Sequence, residues 1–126
     1  MPSFGKTSRN RLKTCHSLIQ LVMNRVIETY DCTILCGHRG ESEQKQAFDA
    51  GRSQVNWPDS NHNREPSLAV DVAPWPLDWD DISEFKHLGG RILQAANDLG
   101  IVLIWGGDWK NFKDYPHYEL DKSMLD

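Results

Sequence analysis

The sequence predicts an α+β domain in which three helices pack on a small, mainly antiparallel sheet. Apolar residues recur every three or four positions at 8–30 and again at 81–99, the period of a helix with one buried face. Between and after them lie short β-branched or apolar runs, "CTILC", "LAVDVAPW", "IVLIW" and "HYEL". The resulting order, α-β-α-loop-β-α-β-loop-β, brings helices and strands together without regular βαβ alternation.

Each element has its own local justification. Leu12, Cys15, Ile19, Val22 and Val26 mark one face of a first helix from Ser8 to about Tyr30, with Ser8 as its N-cap. "CTILC" (32–36) reads as a buried strand. The stretch "HRGESEQKQAFDAG" gives a loop and a second helix, capped near Ser42 and ended by Gly51. Residues 52–67 are polar, turn-rich and aperiodic, which predicts an ordered surface loop of the kind that carries function. "LAVDVAPW" is a strand, and "PLDWDD" breaks it. Asp80 and Asp81 then favour the start of a long helix, Asp81 to Leu99, with Ile82, Phe85, Leu88, Ile92 and Ala96 inward and Gly100 as the stop. "IVLIW" (101–105), the loop "GGDWKNFKDYP" and the closing strand "HYEL" complete the chain.

Size and composition limit what such a chain can do. Its 126 residues make one domain over 1–126, expected to be a monomer, because a single core serves chains of roughly 50–200 residues. A formal net charge of −4 argues against a nucleic-acid partner, since phosphate-backbone binding needs a dense Lys/Arg surface. No apolar run approaches the ~18 residues that span a bilayer, so membrane insertion is not expected. "MPSFGKTSRN" lacks the apolar stretch of a secretory signal. Synthesis in the cytoplasm is therefore expected, with any target outside reached by another route. Three cysteines, Cys15, Cys32 and Cys36, with no CxxC, read as free thiols rather than a disulfide framework.

The chemistry gathers at three places. Asp71 lies among Ala69, Val70, Val72 and Ala73, where a carboxylate is costly to bury unless paired or bound to metal. His62 in "SNH" and His117 in "DYPHYEL" each have an ordinary surface reading when taken alone. Together, two imidazoles and one carboxylate suit a catalytic zinc, with a position left open. Asp114 lies three residues before His117, across Pro116, where it can act as a base beside the metal without being a ligand. Among the tryptophans, Trp105 ends an apolar strand and suits the core. Trp109, in the following loop, suits the wall of a cleft. His16, His38 and His87 have no ligand partners at convincing spacing.

The pair "SNHNREPSLAVDVAP" and "WGGDWKNFKDYPHYEL" resembles the D-Ala-D-Ala carboxypeptidase family of zinc peptidases. More narrowly, it resembles the L-alanyl-D-glutamate endopeptidases that serve as phage endolysins. The family pattern falls here on Ser60, His62, Ala69 and Asp71, then on Asp114 and His117. "CGHRGESEQ", with Arg39, Glu43 and Gln44, is similar to the family's Arg-containing segment before a Glu-Gln helix. Two features depart from the pattern. His62 and Asp71 are nine residues apart, a longer spacing than usual, and Ser67 stands where the family has glycine.

The resemblance implies a hedgehog/DD-peptidase-like fold and one Zn2+ per chain, held by His62, Asp71 and His117. It further implies Asp114 as general base and then acid, Arg39 as the stabiliser of the oxyanion, and Ser60 as a substrate-binding hydrogen-bonder. The expected partner is the stem peptide of bacterial peptidoglycan, cut between L-Ala and D-Glu after the enzyme's release to the wall. A D,D-carboxypeptidase or dipeptidase is the alternative within the same chemistry. A non-catalytic metal-dependent binding domain is the alternative outside it. A surface ion pair with Glu41 or Glu43 is the plain alternative for Arg39.

Overall fold

In the computed structural model, which describes residues 2–125, α1 (Lys6–Leu12) and α2 (Ser17–Ile27) precede β1 (Cys32–Cys36). There follow α3 (Glu41–Asp49), β2 (Ala69–Pro74), α4 (Ile82–Asp98), β3 (Leu103–Trp105) and β4 (His117–Leu120). The strands form one antiparallel sheet in the order β1-β2-β4-β3. The domain is α+β as expected, but the described residues form four α-helices rather than three.

The fourth helix arises because the predicted run from Ser8 to Tyr30 is cut in two. Its apolar spacing is continuous, and tertiary hydrogen bonds override it at 13–16. Ser67 donates its N–H to the Thr14 carbonyl (2.9 Å) and accepts from the His16 N–H (2.8 Å), pulling this segment into a strand-like bridge. His16 then caps α2, its Nδ1 accepting from the Leu18 N–H at 3.1 Å. Ser67 is fully buried, so the residue that departs from the family pattern has a structural task here.

Ser8 is not a cap; α1 starts from Gly5. The Ser8 hydroxyl is buried inside α1 and accepts from the Ile34 N–H at 3.0 Å, while Arg11 donates to the Ile34 carbonyl at 3.0 Å. Helix α1 thereby occupies backbone groups that β1, as an edge strand, would otherwise leave open. Other ends also moved. Helix α3 begins from Gly40 rather than Ser42, and β3 covers only 103–105 of the expected 101–105. Asp81 caps α4 through the Glu84 N–H, and Gly100 takes a φ of +72° beyond its end. Ile82 is 37% exposed and not inward, because it belongs to the first turn on the cleft side.

Alternation along the strands sorts side chains between two faces. Val70, Val72, Tyr118 and Leu120 join Ile19, Val22 and Met23 of α2 and Leu88, Ile92 and Ala96 of α4 in the core. Fully burying such side chains is worth about 1.5–3 kcal/mol each. The opposite parity, Ala69 and Asp71 on β2 with His117 and Glu119 on β4, forms the other face, where Asp71, His117 and Glu119 line the cleft. Asp71 and His117 are direct partners across the strands.

Trp105 ties this sheet to α4 and to the loop that follows. Its indole stacks on Tyr118 with ring centroids 6.1 Å apart, and its Nε1 donates to the Tyr115 carbonyl at 2.8 Å. The ring occupies space that exists only because residues 89 and 107 are glycines. A Cβ on Gly89 would stand 2.7 Å from a ring carbon, and one on Gly107 2.3 Å. Gly89→Ala is therefore expected to lower stability by about 1–3 kcal/mol through overpacking. Gly90→Ala, next to it in open space on the exposed side, should instead gain roughly 0.8–1 kcal/mol from helix propensity. Urea unfolding of the two variants gives the comparison. Equal stabilities would show that the glycine slot carries no packing constraint.

Candidate metal centre and active-site cleft

His62 lies in a short 3-10 turn, Asn61–Asn63, whose formation is local. The Ser60 hydroxyl accepts from the His62 N–H (3.2 Å), and the Asn63 side chain accepts from the Ser60 N–H (3.0 Å). These reciprocal bonds hold the turn in the way a capping box holds a helix start. The longer interval between His62 and Asp71 is taken up by bends at 64–66 and the Ser67 bridge, with Leu68 donating to the Asn61 carbonyl at 3.0 Å.

The sheet supplies the other two members of the cluster. His62 Nε2 is 3.2 Å from Asp71 Oδ1, and His117 Nδ1 is 3.4 Å from the same oxygen. The three donor atoms lie within 4.8 Å of one another, with both histidines buried. Their outer nitrogens are also occupied. His62 Nδ1 meets the Gly37 carbonyl at 2.8 Å, and His117 Nε2 meets Glu119 Oε1 at 2.6 Å. Each ring therefore turns one nitrogen outward to an acceptor and the other inward to Asp71.

This arrangement favours positive charge at its centre. Burial works against an imidazolium at His62, but Asp71 outweighs it and lifts the ring to about 10. Burial also opposes the charge on His117, which is nonetheless raised by hydrogen bonds to Asp71 and Glu119. Burial alone would lift Asp71, yet His62 and His117 hold its carboxyl far below the usual carboxylate range.

A divalent cation meets the same demand, and the spacing suits one. Zinc bonds of about 2.0–2.1 Å in a tetrahedron set neighbouring ligand atoms about 3.3 Å apart. The two nitrogen-to-Oδ1 distances bracket that value. The His62–Asp71–His117 group can thus hold a metal ion.

Arg39 reaches Asp71 from the other side, its Nη2 3.4 Å from Oδ2. It makes no ion pair with Glu41 or Glu43; Glu43 instead accepts from the Gly40 N–H. Arg39 Nη1 donates to Gln44 Oε1 at 3.0 Å, and the same oxygen accepts from Asn63 at 3.2 Å. Gln44 is fully buried and also donates to the Val55 carbonyl at 2.7 Å, so α3 fixes the guanidinium against the turn of His62.

Arg39, His62, Asp71 and His117 line one cleft of about 1120 Å³, together with Asp114, Ser60, Trp109 and Glu119. Asp114 is raised above the ordinary carboxylate value, first by burial and then by the charge of Asp71. Trp109 packs on the His117 ring with centroids 5.1 Å apart. Ser60 is 6% exposed, and its hydroxyl is engaged with the turn backbone. The cleft therefore brings all seven expected site residues to one place. His16, His38 and His87 lie elsewhere in local contacts: the cap of α2, Glu65, and Arg91.

Sequence reasoning gave no role to Gln44, Asn61 or Glu119 in supporting this cluster. Glu119 had a readable signal, since its alternation with His117 in "HYEL" puts both on one face. Gly106 had none. A Cβ there would stand 2.3 Å from the Asp114 carbonyl oxygen, which shows how closely the two backbones approach. The Asp114 N–H donates to the Gly106 carbonyl at 3.0 Å. Gly106→Ala should displace Asp114 and lower kcat by about 10²-fold, the scale of a 1 Å misplacement. Metal content should stay unchanged. Kinetics alongside elemental analysis check both, and unaltered kcat would show that this close approach does not position Asp114 for a role in turnover.

Comparison with known proteins agrees with the geometry. The family profile described as "Phage L-alanyl-D-glutamate peptidase" matches residues 2–126. L-alanyl-D-glutamate peptidase of Escherichia phage T5 is 34% identical, over 98% of this chain and 92% of that protein. Peptidoglycan L-alanyl-D-glutamate endopeptidase CwlK of Bacillus subtilis (strain 168) is 32% identical, over 71% of this chain and 60% of its own length. Among solved structures, the Serratia marcescens L-Ala D-Glu endopeptidase ChiX superposes with a TM-score of 0.82 at 26% identity. That match covers 96% of this chain and 92% of ChiX. No helix among the described residues is long and apolar enough to cross a membrane.

Proposed function

The chain belongs to the phage L-alanyl-D-glutamate peptidase family, and from that premise we propose that it cuts the L-Ala–D-Glu amide with zinc held by His62, Asp71 and His117. It is a peptidoglycan endopeptidase of the endolysin kind. The observation that carries the zinc reading is the pair of inward imidazole nitrogens, 3.2 and 3.4 Å from one Asp71 oxygen.

Zinc in this site supplies Lewis acidity toward the scissile carbonyl and toward water. The protein's own groups do the rest. Asp114 takes the proton of the attacking water and delivers it to the leaving D-Glu nitrogen, which departs as an amine. A half-buried carboxylate with a raised proton affinity suits both halves of that exchange. Arg39 carries a permanent charge and fixed donors, and Gln44 holds it beside Asp71, where it can stabilise the developing oxyanion. Trp109 forms the wall of the cleft against the His117 ring. Ser60 acts through the turn of His62, with substrate contact as its second role.

Digestion of purified peptidoglycan followed by mass spectrometry tests the bond. New D-Glu amino termini on the released peptides are expected, with L-Ala left on intact glycan strands. Release of free D-Ala alone would identify a D,D-carboxypeptidase, and new reducing sugar ends would exclude amide hydrolysis. Elemental analysis of the gently purified protein should give about one zinc per chain.

A further inference from the structure

Glu119 takes no part in the chemistry above, yet its side chain is only 19% exposed and lies in the middle of the sheet. It pairs with Ala69 of β2 on one side and Ile104 of β3 on the other. A carboxylate among such neighbours is costly unless its oxygens are engaged. An ion pair with Lys or Arg would be the ordinary remedy, and among the described residues none is made. Instead Oε1 lies 2.6 Å from His117 Nε2, and Oε2 accepts from Asn61 Nδ2 at 2.8 Å.

We infer that Glu119 is a positioning residue of the metal centre, fixing which nitrogen His117 offers and joining that ring to the turn of His62. A neutral imidazole carries one ring proton, and a carboxylate at 2.6 Å draws that proton to Nε2. The lone pair is then left on Nδ1, the atom that faces Asp71. A carboxylate behind an imidazole also makes it a stronger donor. His62 is set by a different device, because its Nδ1 donates to the Gly37 carbonyl and leaves Nε2 inward. Asn61 immediately precedes His62 in the turn. The second oxygen of Glu119 therefore bonds across from β4 to the segment that carries the other histidine.

The inference rests on His117 being a ligand, so the experiment reads metal directly rather than turnover. Zinc affinity of the full chain is measured by competition with a chromophoric chelator for wild type, Glu119→Gln and Glu119→Ala. Ring 15N signals of His117 are recorded in the zinc-loaded forms. Wild type should bind zinc with the proton on Nε2. Glu119→Ala should bind about 10–100-fold more weakly, the range for lost outer hydrogen bonds to metal-ligating histidine. Glu119→Gln should fall between the two with the same tautomer, because its amide oxygen still accepts while the charge is gone.

Zinc affinity equal to wild type in both variants overturns the inference, even if their unfolding midpoints drop, since that pattern belongs to a purely structural residue. Should the alanine variant not fold, the near-isosteric glutamine variant decides by the same criterion. If wild type itself takes up no zinc, the ligand reading fails and this inference falls with it. Normal zinc in wild type and in both variants removes only the role of Glu119.

Discussion

His117→Ala is expected to leave the purified protein folded but almost free of zinc, and to bring peptidoglycan hydrolysis near background. In the proposed ligand set the ring supplies one of three protein donors, and its loss also removes the 3.4 Å contact of its Nδ1 with Asp71. Asp71 would remain with His62 at 3.2 Å and Arg39 at 3.4 Å, so its charge stays partly compensated and unfolding is not expected. The rate loss should exceed the about 10²–10³-fold that a single missing electrostatic donor costs an enzyme. It removes the Lewis acid together with the donor set. His62→Ala should behave alike, with a larger fall in stability because that ring is 2% exposed and bonded to Gly37. Zinc content by elemental analysis and release of stem peptides give the two readouts. Full metal and activity in His117→Ala would show that the ligand set is wrong.

Much of this centre could be read in the sequence because its residues are out of place there. A carboxylate inside Ala-Val-Asp-Val-Ala is costly anywhere but at a site, and strand alternation puts Asp71 on the face opposite Val70 and Val72. The helices were legible where their apolar period coincides with the core, as for Phe85, Leu88, Ile92 and Ala96 of α4. Legibility ended where distant parts of the chain compete with local preference. Nothing near Cys15 foretells that Ser67, more than fifty residues later, breaks the first helix there. Ser8 has the chemistry of a cap, and its hydroxyl is used by a neighbouring strand instead.

The same limit applies to the supports of the site. Gln44 fixes Arg39, and Gly106 lets Asp114 approach, through contacts whose partners cannot be paired without the fold. The members of the site announce themselves by chemistry. Their supports are ordinary residues whose significance is positional.

Asp114→Asn should keep zinc and stability but lose about 10²–10⁴-fold in kcat, the usual contribution of a positioned acid–base group. The substitution preserves the shape of the side chain. The backbone bonds that hold residue 114, from its N–H to the Gly106 carbonyl and from the His117 N–H to its own carbonyl, are independent of the side chain. What disappears is a proton acceptor in the cleft. Burial and the nearby Asp71 charge already make that carboxylate hold a proton more readily than usual, which suits a group that must take a proton and then deliver it. Removing a half-buried charge near Asp71 relieves repulsion, so unfolding at neutral pH should shift little or slightly upward. The expected pattern is therefore one-sided: normal zinc, normal fold, lost turnover. Substrate affinity should change little, because the acid–base step is felt in the transition state rather than in binding. Single-turnover kinetics on a defined stem peptide, with elemental analysis of the same preparation, separate these effects. Near-normal turnover would show that Asp114 is not the proton-transfer group. Joint loss of zinc and turnover would instead make residue 114 part of the metal's support.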